Sequence, residues 1–166
     1  MTEQEELLTA CVNYAIQNFN RNEQYLISRD LSERCICAKF ASYLEKATIP
    51  YGFSEYFVDV EYNRGSQGNE YAAKLIDKRH IVVDLIVHKR GYDANIGFQN
   101  LICIEMKKNY KRPDMSADLS RLEKMTTSRY GFGYKAGFMI VAVANRELEE
   151  YKLHIDYSFY ESENVD

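Results

Sequence analysis

No run of apolar residues in this chain approaches the roughly 18 needed to cross a bilayer, and the N-terminus is acidic, unlike a signal peptide. That excludes a spanning helix on sequence grounds, and the expectation is a cytoplasmic protein with no membrane partner. Positive charge is not in excess either. The formal net charge of −4 argues against a broadly basic nucleic-acid binder, while leaving room for a local basic cleft. There is no phosphate-cradling Gly-x-x-x-x-Gly-Lys motif, and no Ser-His-Asp or Cys-His arrangement with supporting context. Tryptophan is absent, although there are 14 tyrosines. The four cysteines, Cys11, Cys35, Cys37 and Cys103, lie in apolar stretches. Only Cys35 and Cys37 are close, with one residue between them, which is not a zinc-binding spacing. They read as buried free thiols of a reducing compartment. A chain of 166 residues is expected to form one domain, residues 1–166, with a core of its own.

What the chain does have is concentrated between His80 and Lys108, HIVVDLIVHKRGYDANIGFQNLICIEMKK. Ile81, Val82, Val83, Leu85, Ile86 and Val87 form a short run rich in β-branched residues, broken only by Asp84. Leu101, Ile102, Cys103, Ile104 and Met106 form a second. Both are short enough to read as buried strands. Gly91, Asp93, Asn95 and Gly97 supply turn formers between them. Side chains alternate along a strand, so Glu105 and Lys107 share a face that Ile104 and Met106 do not. If the strands pair, Asp84 sits beside Glu105. Acids within apolar strands are costly unless their charge is compensated, and a bound cation compensates two at once. Carboxylate oxygens suit Mg²⁺ or Mn²⁺. Lys107 would orient a water or stabilise developing negative charge.

Asp84 on one apolar strand, a polar connection, then Glu105-Met106-Lys107 on the next and a helix after it: this order resembles the PD-(D/E)XK nuclease superfamily. The resemblance spans about residues 30 to 145 and departs at Val83, where the motif's proline would stand. It implies a restriction-endonuclease-like core and a Mg²⁺- or Mn²⁺-dependent nuclease. Asp84, Glu105 and the backbone carbonyl of Met106 would be metal ligands, and Lys107 would be catalytic. It also implies a further catalytic or metal-binding acid on the helix before the sheet, a role carried here onto Glu33. The same helix-start position is favoured for any acid by the helix dipole.

Elsewhere, Leu7, Leu8, Cys11, Val12, Ala15, Ile16 and Phe19 recur at helical spacing within Thr2–Asn20, with Thr2 and Glu5 placed for a capping box. A second helix is expected within Arg29–Ala47, capped by Ser32 and ended before Pro50. Phe57, Val58, Val60 and Tyr62 suggest a strand whose Asp59 and Glu61 face either the cleft or solvent. Arg64 offers a bidentate fork to a phosphate or simply meets water. Leu119, Leu122 and Met125 mark a third helix, capped by Asp114 or Ser116. By the resemblance its Arg121 would approach substrate phosphate; the alternative is a pair with Asp118 three residues earlier. Gly137–Ala144 is the most apolar strand, expected to be central, and Leu153–Phe159 alternates as an edge strand would. His80, His88 and His154 read as structural, because four residues along a strand put His88 roughly 13 Å from Asp84.

The expected fold is therefore α/β, a central mixed β-sheet flanked by helices. The expected function is metal-dependent hydrolysis of nucleic acid, DNA in the first instance, with a homodimer as a possible form. The alternative is a catalytically inactive domain of this fold that serves as a protein-interaction or regulatory module.

Overall fold

The computed structural model describes residues 3–29, 31–62, 75–76, 79–90, 100–109, 115–127, 132–145 and 150–157. The apolar spacing of the first segment produces helix α1 (Glu3–Asn22), which buries Leu8, Cys11, Val12, Ala15, Ile16 and Phe19. A short helix α2 (Gln24–Ser28) follows. Its five residues are too few to show a helical period in sequence. Helix α3 (Glu33–Thr48) starts where Ser32 accepts a hydrogen bond from the Cys35 N–H at 3.2 Å, as its residue type predicts. The α1 and α3 helices pack through aromatic edges: the Phe19 ring lies 5.8 Å from Phe40 and 5.6 Å from Tyr43, both near perpendicular.

Strands β1 (Phe57–Val60), β4 (Leu85–His88), β5 (Asn100–Asn109), β6 (Ala136–Asn145) and β7 (Glu150–Tyr157) form one five-stranded sheet in the order β1-β4-β5-β6-β7. Strands β2 (Leu75–Ile76) and β3 (Arg79–His80) pair with each other, a ribbon with two residues per strand that residue patterning does not reveal. In the main sheet only β5 and β6 are parallel, joined by helix α4 (Ser116–Thr126), so the sheet is mixed. Strand β6 is interior and β7 is an edge, as their compositions predict, while β5 is the middle strand. The fold is α/β with helices on both faces. Leu85, Val87, Ile102, Ile104, Met106, Phe138 and Ile140 meet α1 and α3, whereas Ile86, Cys103, Met139 and Val141 meet Leu122 and Met125 of α4. A β5 strand covered on both sides explains why its sequence is nearly continuously apolar.

Two details depart from expectation. The strand expected from Ile81 begins only at Leu85, with Asp84 just before it. Cys35 is exposed, although Cys11, Cys37 and Cys103 are buried and all four are free thiols. Among the described residues no helix is long and apolar enough to cross a membrane. The Thr2 cap, the Asp114 cap and the turn formers of 91–99 lie outside the described residues. Ser116 is the first residue of α4 and Met115 occupies its cap position, without a side-chain cap bond.

Helix α4 approaches β6 closely because Gly137 has no side chain. A Cβ there would stand 3.2 Å from Thr126 Cγ2 and 3.4 Å from Leu122 Cβ. Gly137→Ala should therefore overpack the α4–β6 contact and destabilise the protein by about 1–3 kcal/mol in urea unfolding. Unchanged stability would show that α4 yields freely.

Candidate active site

Asp84 stands at a junction of three strands. Its carbonyl oxygen accepts the Glu61 N–H at 2.9 Å on the β1 side. On the other side its carboxylate Oδ2 accepts the Met106 N–H of β5 at 2.7 Å. The side chain thus takes the place of one rung of the ladder, which is why regular β4 starts one residue later. The buried Cys37 thiol donates to the same carbonyl from α3 at 3.7 Å, and burial, then the nearby acids led by Asp84, push that thiol up to about 12.

The β4–β5 register pairs Leu85 with Ile104 and Ile86 with Cys103. Glu105 is therefore the position across from Asp84, on the face that α4 covers. Glu105 is only 2 % exposed. Its Oε1 accepts a 2.6 Å hydrogen bond from Arg121 Nε. Burial pushes the Glu105 carboxyl up to about 8, against the pull of Arg121 and with the added repulsion of Asp84 and Asp118.

Lys107, two residues on, points to the same face. Its Nζ lies 3.2 Å from Asp118 Oδ2 and 3.8 Å from Glu33 Oε1. Burial works against its ammonium, but the Asp118 hydrogen bond and the charges of Glu33, Asp118 and Asp84 outweigh that, so the amine sits above its usual range. At neutral pH this lysine is a cation, suited to stabilising negative charge rather than taking up a proton. Glu33 opens α3, and its Oε2 accepts the Lys108 N–H at 2.9 Å, while Lys108 Nζ donates to the Leu31 carbonyl at 2.7 Å. These bonds fasten the start of α3 to the end of β5. Glu33 is brought to Lys107 and the β5 backbone, and does not converge with Asp84 and Glu105 as a metal-holding set.

Arg121 makes the helix contact that the second alternative names. It pairs with Asp118 on its own helix, through Nη2. The same guanidinium reaches across to Glu105, and its side chain remains one-third exposed. Asp118 is no surface residue: it is 4 % exposed and holds Lys107 with one oxygen and Arg121 with the other. This residue was not singled out from sequence as a site residue. A signal existed, because Asp118, Leu122 and Met125 share one helical face, and an acid among core residues asks for partners.

Other candidates lie apart from this group. Asp59 bonds His88 Nε2 at 2.8 Å and Arg90 Nε at 3.0 Å. The Arg90 hydrogen bond, aided by His88 and opposed by burial, holds the Asp59 carboxyl below the usual carboxylate range. His88 is buried against the Tyr62 ring, 4.7 Å between centroids. Glu61 forms a two-point contact with Arg34 at 2.9 and 3.1 Å. Its backbone is left-handed, φ 50°, a conformation that costs a non-glycine residue about 1–3 kcal/mol and that the Arg34 and Asp84 bonds help to hold. Arg64 lies outside the described residues.

The group as a whole has four acids, Glu33, Asp84, Glu105 and Asp118, and two cations, Lys107 and Arg121. Among the described residues no three His, Cys, Asp or Glu side chains converge as a metal-holding set. Asp84 and Glu105 nonetheless each keep one carboxylate oxygen, Oδ1 and Oε2, without a hydrogen bond among the described residues. A half-buried carboxylate at Asp84 beside a buried one at Glu105 fits Mg²⁺, which commonly takes one or two carboxylates and completes its octahedron with water and phosphate oxygens. No protein-family model matches the chain, and no curated protein or solved structure matches it.

The Glu105 shift has a pH consequence. The folded state holds this proton more tightly than the unfolded chain, whose carboxyl has the ordinary value of 4.5. The group therefore favours folding below that pH, and the contribution is lost as pH rises toward about 8. In metal-free buffer, Glu105→Gln should gain stability relative to wild type across this interval. A difference in urea midpoint that stays flat with pH would show that Glu105 is ionised throughout.

Proposed function

We propose that this chain is a divalent-cation-dependent phosphodiesterase acting on nucleic acid, of the PD-(D/E)XK type, with a restriction-endonuclease-like core. The observation that carries the reading is the junction of Asp84 with β5. The Asp84–Met106 bond at 2.7 Å sets one carboxylate across the sheet from a second, buried one at Glu105, with the Lys107 cation on the same face. Asp84 and Glu105 would hold Mg²⁺ or Mn²⁺, together with the backbone carbonyl of Met106. A divalent ion held so lowers the pKa of coordinated water and offsets charge on a phosphoryl oxygen. Lys107 presents its ammonium to the negative charge that builds on the phosphate oxygens. Asp118 and Glu33 keep that ammonium charged and aimed. DNA is the proposed substrate, and with a chain of net charge −4 the contact to it would be local to this face. A homodimer would let one small domain reach both strands of a duplex.

A second reading, a catalytically silent interaction module, draws support from the pairing of Glu105 with Arg121, which answers the buried charge without any cation. Calorimetric titration with Mn²⁺ separates the two. Asp84→Asn keeps an acceptor for the Met106 N–H but removes the charge, so it should fold normally and lose the binding heat. On a panel of DNA and RNA substrates, Asp84→Asn and Lys107→Ala should each lower Mn²⁺-dependent cleavage by at least about a hundredfold. Full activity in either variant refutes the assignment, and a wild type that neither binds Mn²⁺ nor cleaves favours the module.

A further inference from the structure

The guanidinium of Arg121 occupies an unusual place. It lies one-third exposed at the rim of the site, yet its Nε contacts a carboxylate that is almost wholly buried. Its other arm is anchored on Asp118, a second buried acid, on the same helix. The two arms differ in what they could release. Asp118 has a further partner in Lys107 at 3.2 Å, so it is held in place by charge on both oxygens. For Glu105, Arg121 Nε is the contact made among the described residues, and its other oxygen makes none. A divalent ion held by Asp84 and Glu105 would bring more charge to that carboxylate than the guanidinium does and would repel the guanidinium.

We infer that Arg121 is the resident counter-cation of Glu105, displaced when a divalent ion binds and retained at the rim of the site by Asp118. The inference rests on the metal-dependent reading above. It makes Arg121 a positioning residue with two stations. On Glu105 it partners the buried carboxyl group, and offsets its charge when ionised, so the sheet is stable without metal. Off Glu105 it keeps its Nη2 contact with Asp118, and the released Nε–H becomes available to an anionic oxygen of a substrate. No bond is made or broken in the exchange; one charge-assisted hydrogen bond is given up as carboxylate–cation contacts form.

The direct test is the Arg121 Nε–H resonance in a ¹⁵N-resolved proton spectrum of the full chain, assigned by its loss in Arg121→Lys. In EDTA it should be slow to exchange with water, because it is held on Glu105. Saturation with diamagnetic Mg²⁺, verified by calorimetry on the same sample, should shift it and speed its exchange. A parallel titration should find Arg121→Gln binding Mn²⁺ about tenfold or more tightly than wild type, the scale of one released hydrogen bond to a charged group. Thermal unfolding in EDTA confirms that the variants are folded; if Arg121→Lys is not, through-bond correlation from the Arg121 backbone assigns the wild-type resonance, which then decides the matter. Mg²⁺ binding that leaves the resonance unmoved overturns the exchange while sparing the metal-dependent reading. Absence of Mg²⁺ and Mn²⁺ binding in wild type and Arg121→Gln alike refutes both.

Discussion

The contact between Glu105 and Arg121 carries the electrostatics of this protein. A carboxylate 2 % exposed in the middle strand of a sheet would be among the most destabilising groups the fold could contain if nothing answered it. The answer comes from α4, and it arrives only because α4 lies tight on the sheet, where Gly137 leaves room for Leu122 and Thr126. Asp118 and Lys107 then continue the alternation of charge outward, from a buried acid to a guanidinium, to a second acid and to an ammonium that reaches Glu33. Each member is partnered, which is the condition under which a polar network in a low dielectric stabilises a single arrangement.

Asp84 plays a different part. Its backbone and side chain replace strand pairing on both sides, so its position is set by the sheet itself and not by a neighbouring loop. Functional groups fixed to strands are held more precisely than groups on loops. The helix carrying Glu33 is tied to the same place through Lys108 and Leu31. The candidate site is thus a place where the sheet, α3 and α4 are all stapled together by polar side chains.

Much of this was legible in the residues. The apolar runs around Asp84 and Glu105, the Ser32 cap, the period of α1 and the apolar character of β6 all specify structure through local rules. Strand alternation alone puts Glu105 and Lys107 on one face. The rest depends on register and on which helix covers which face, and those are tertiary facts. Asp59 meeting His88 follows from β1 pairing with β4, which no local pattern announces. Asp118 looked like the outer partner of Arg121 because an i, i+3 pair on a helix is satisfied equally well in water. Its burial becomes evident only when its alignment with Leu122 and Met125 is weighed. The apolar run from Ile81 reads as strand before regular β4 begins at Leu85, because β-branched residues favour extended backbone whether or not a neighbouring strand is there to pair.

The partners in this site are far apart along the chain: 16 residues separate Glu105 from Arg121, 22 separate Asp84 from Met106, and 75 separate Glu33 from Lys108. Loop-closure entropy grows only with the logarithm of such distances, so the longest link costs roughly 1.4 kcal/mol more to close than the shortest, and doubling any one adds about 0.6 kcal/mol. Since strand register and helix docking set the geometry, the connecting segments are thermodynamically free to lengthen, shorten or exchange. The charged centre can stay constant while what surrounds it is rewritten, a division of labour in which the sheet holds the charges in place and the connections are free to vary.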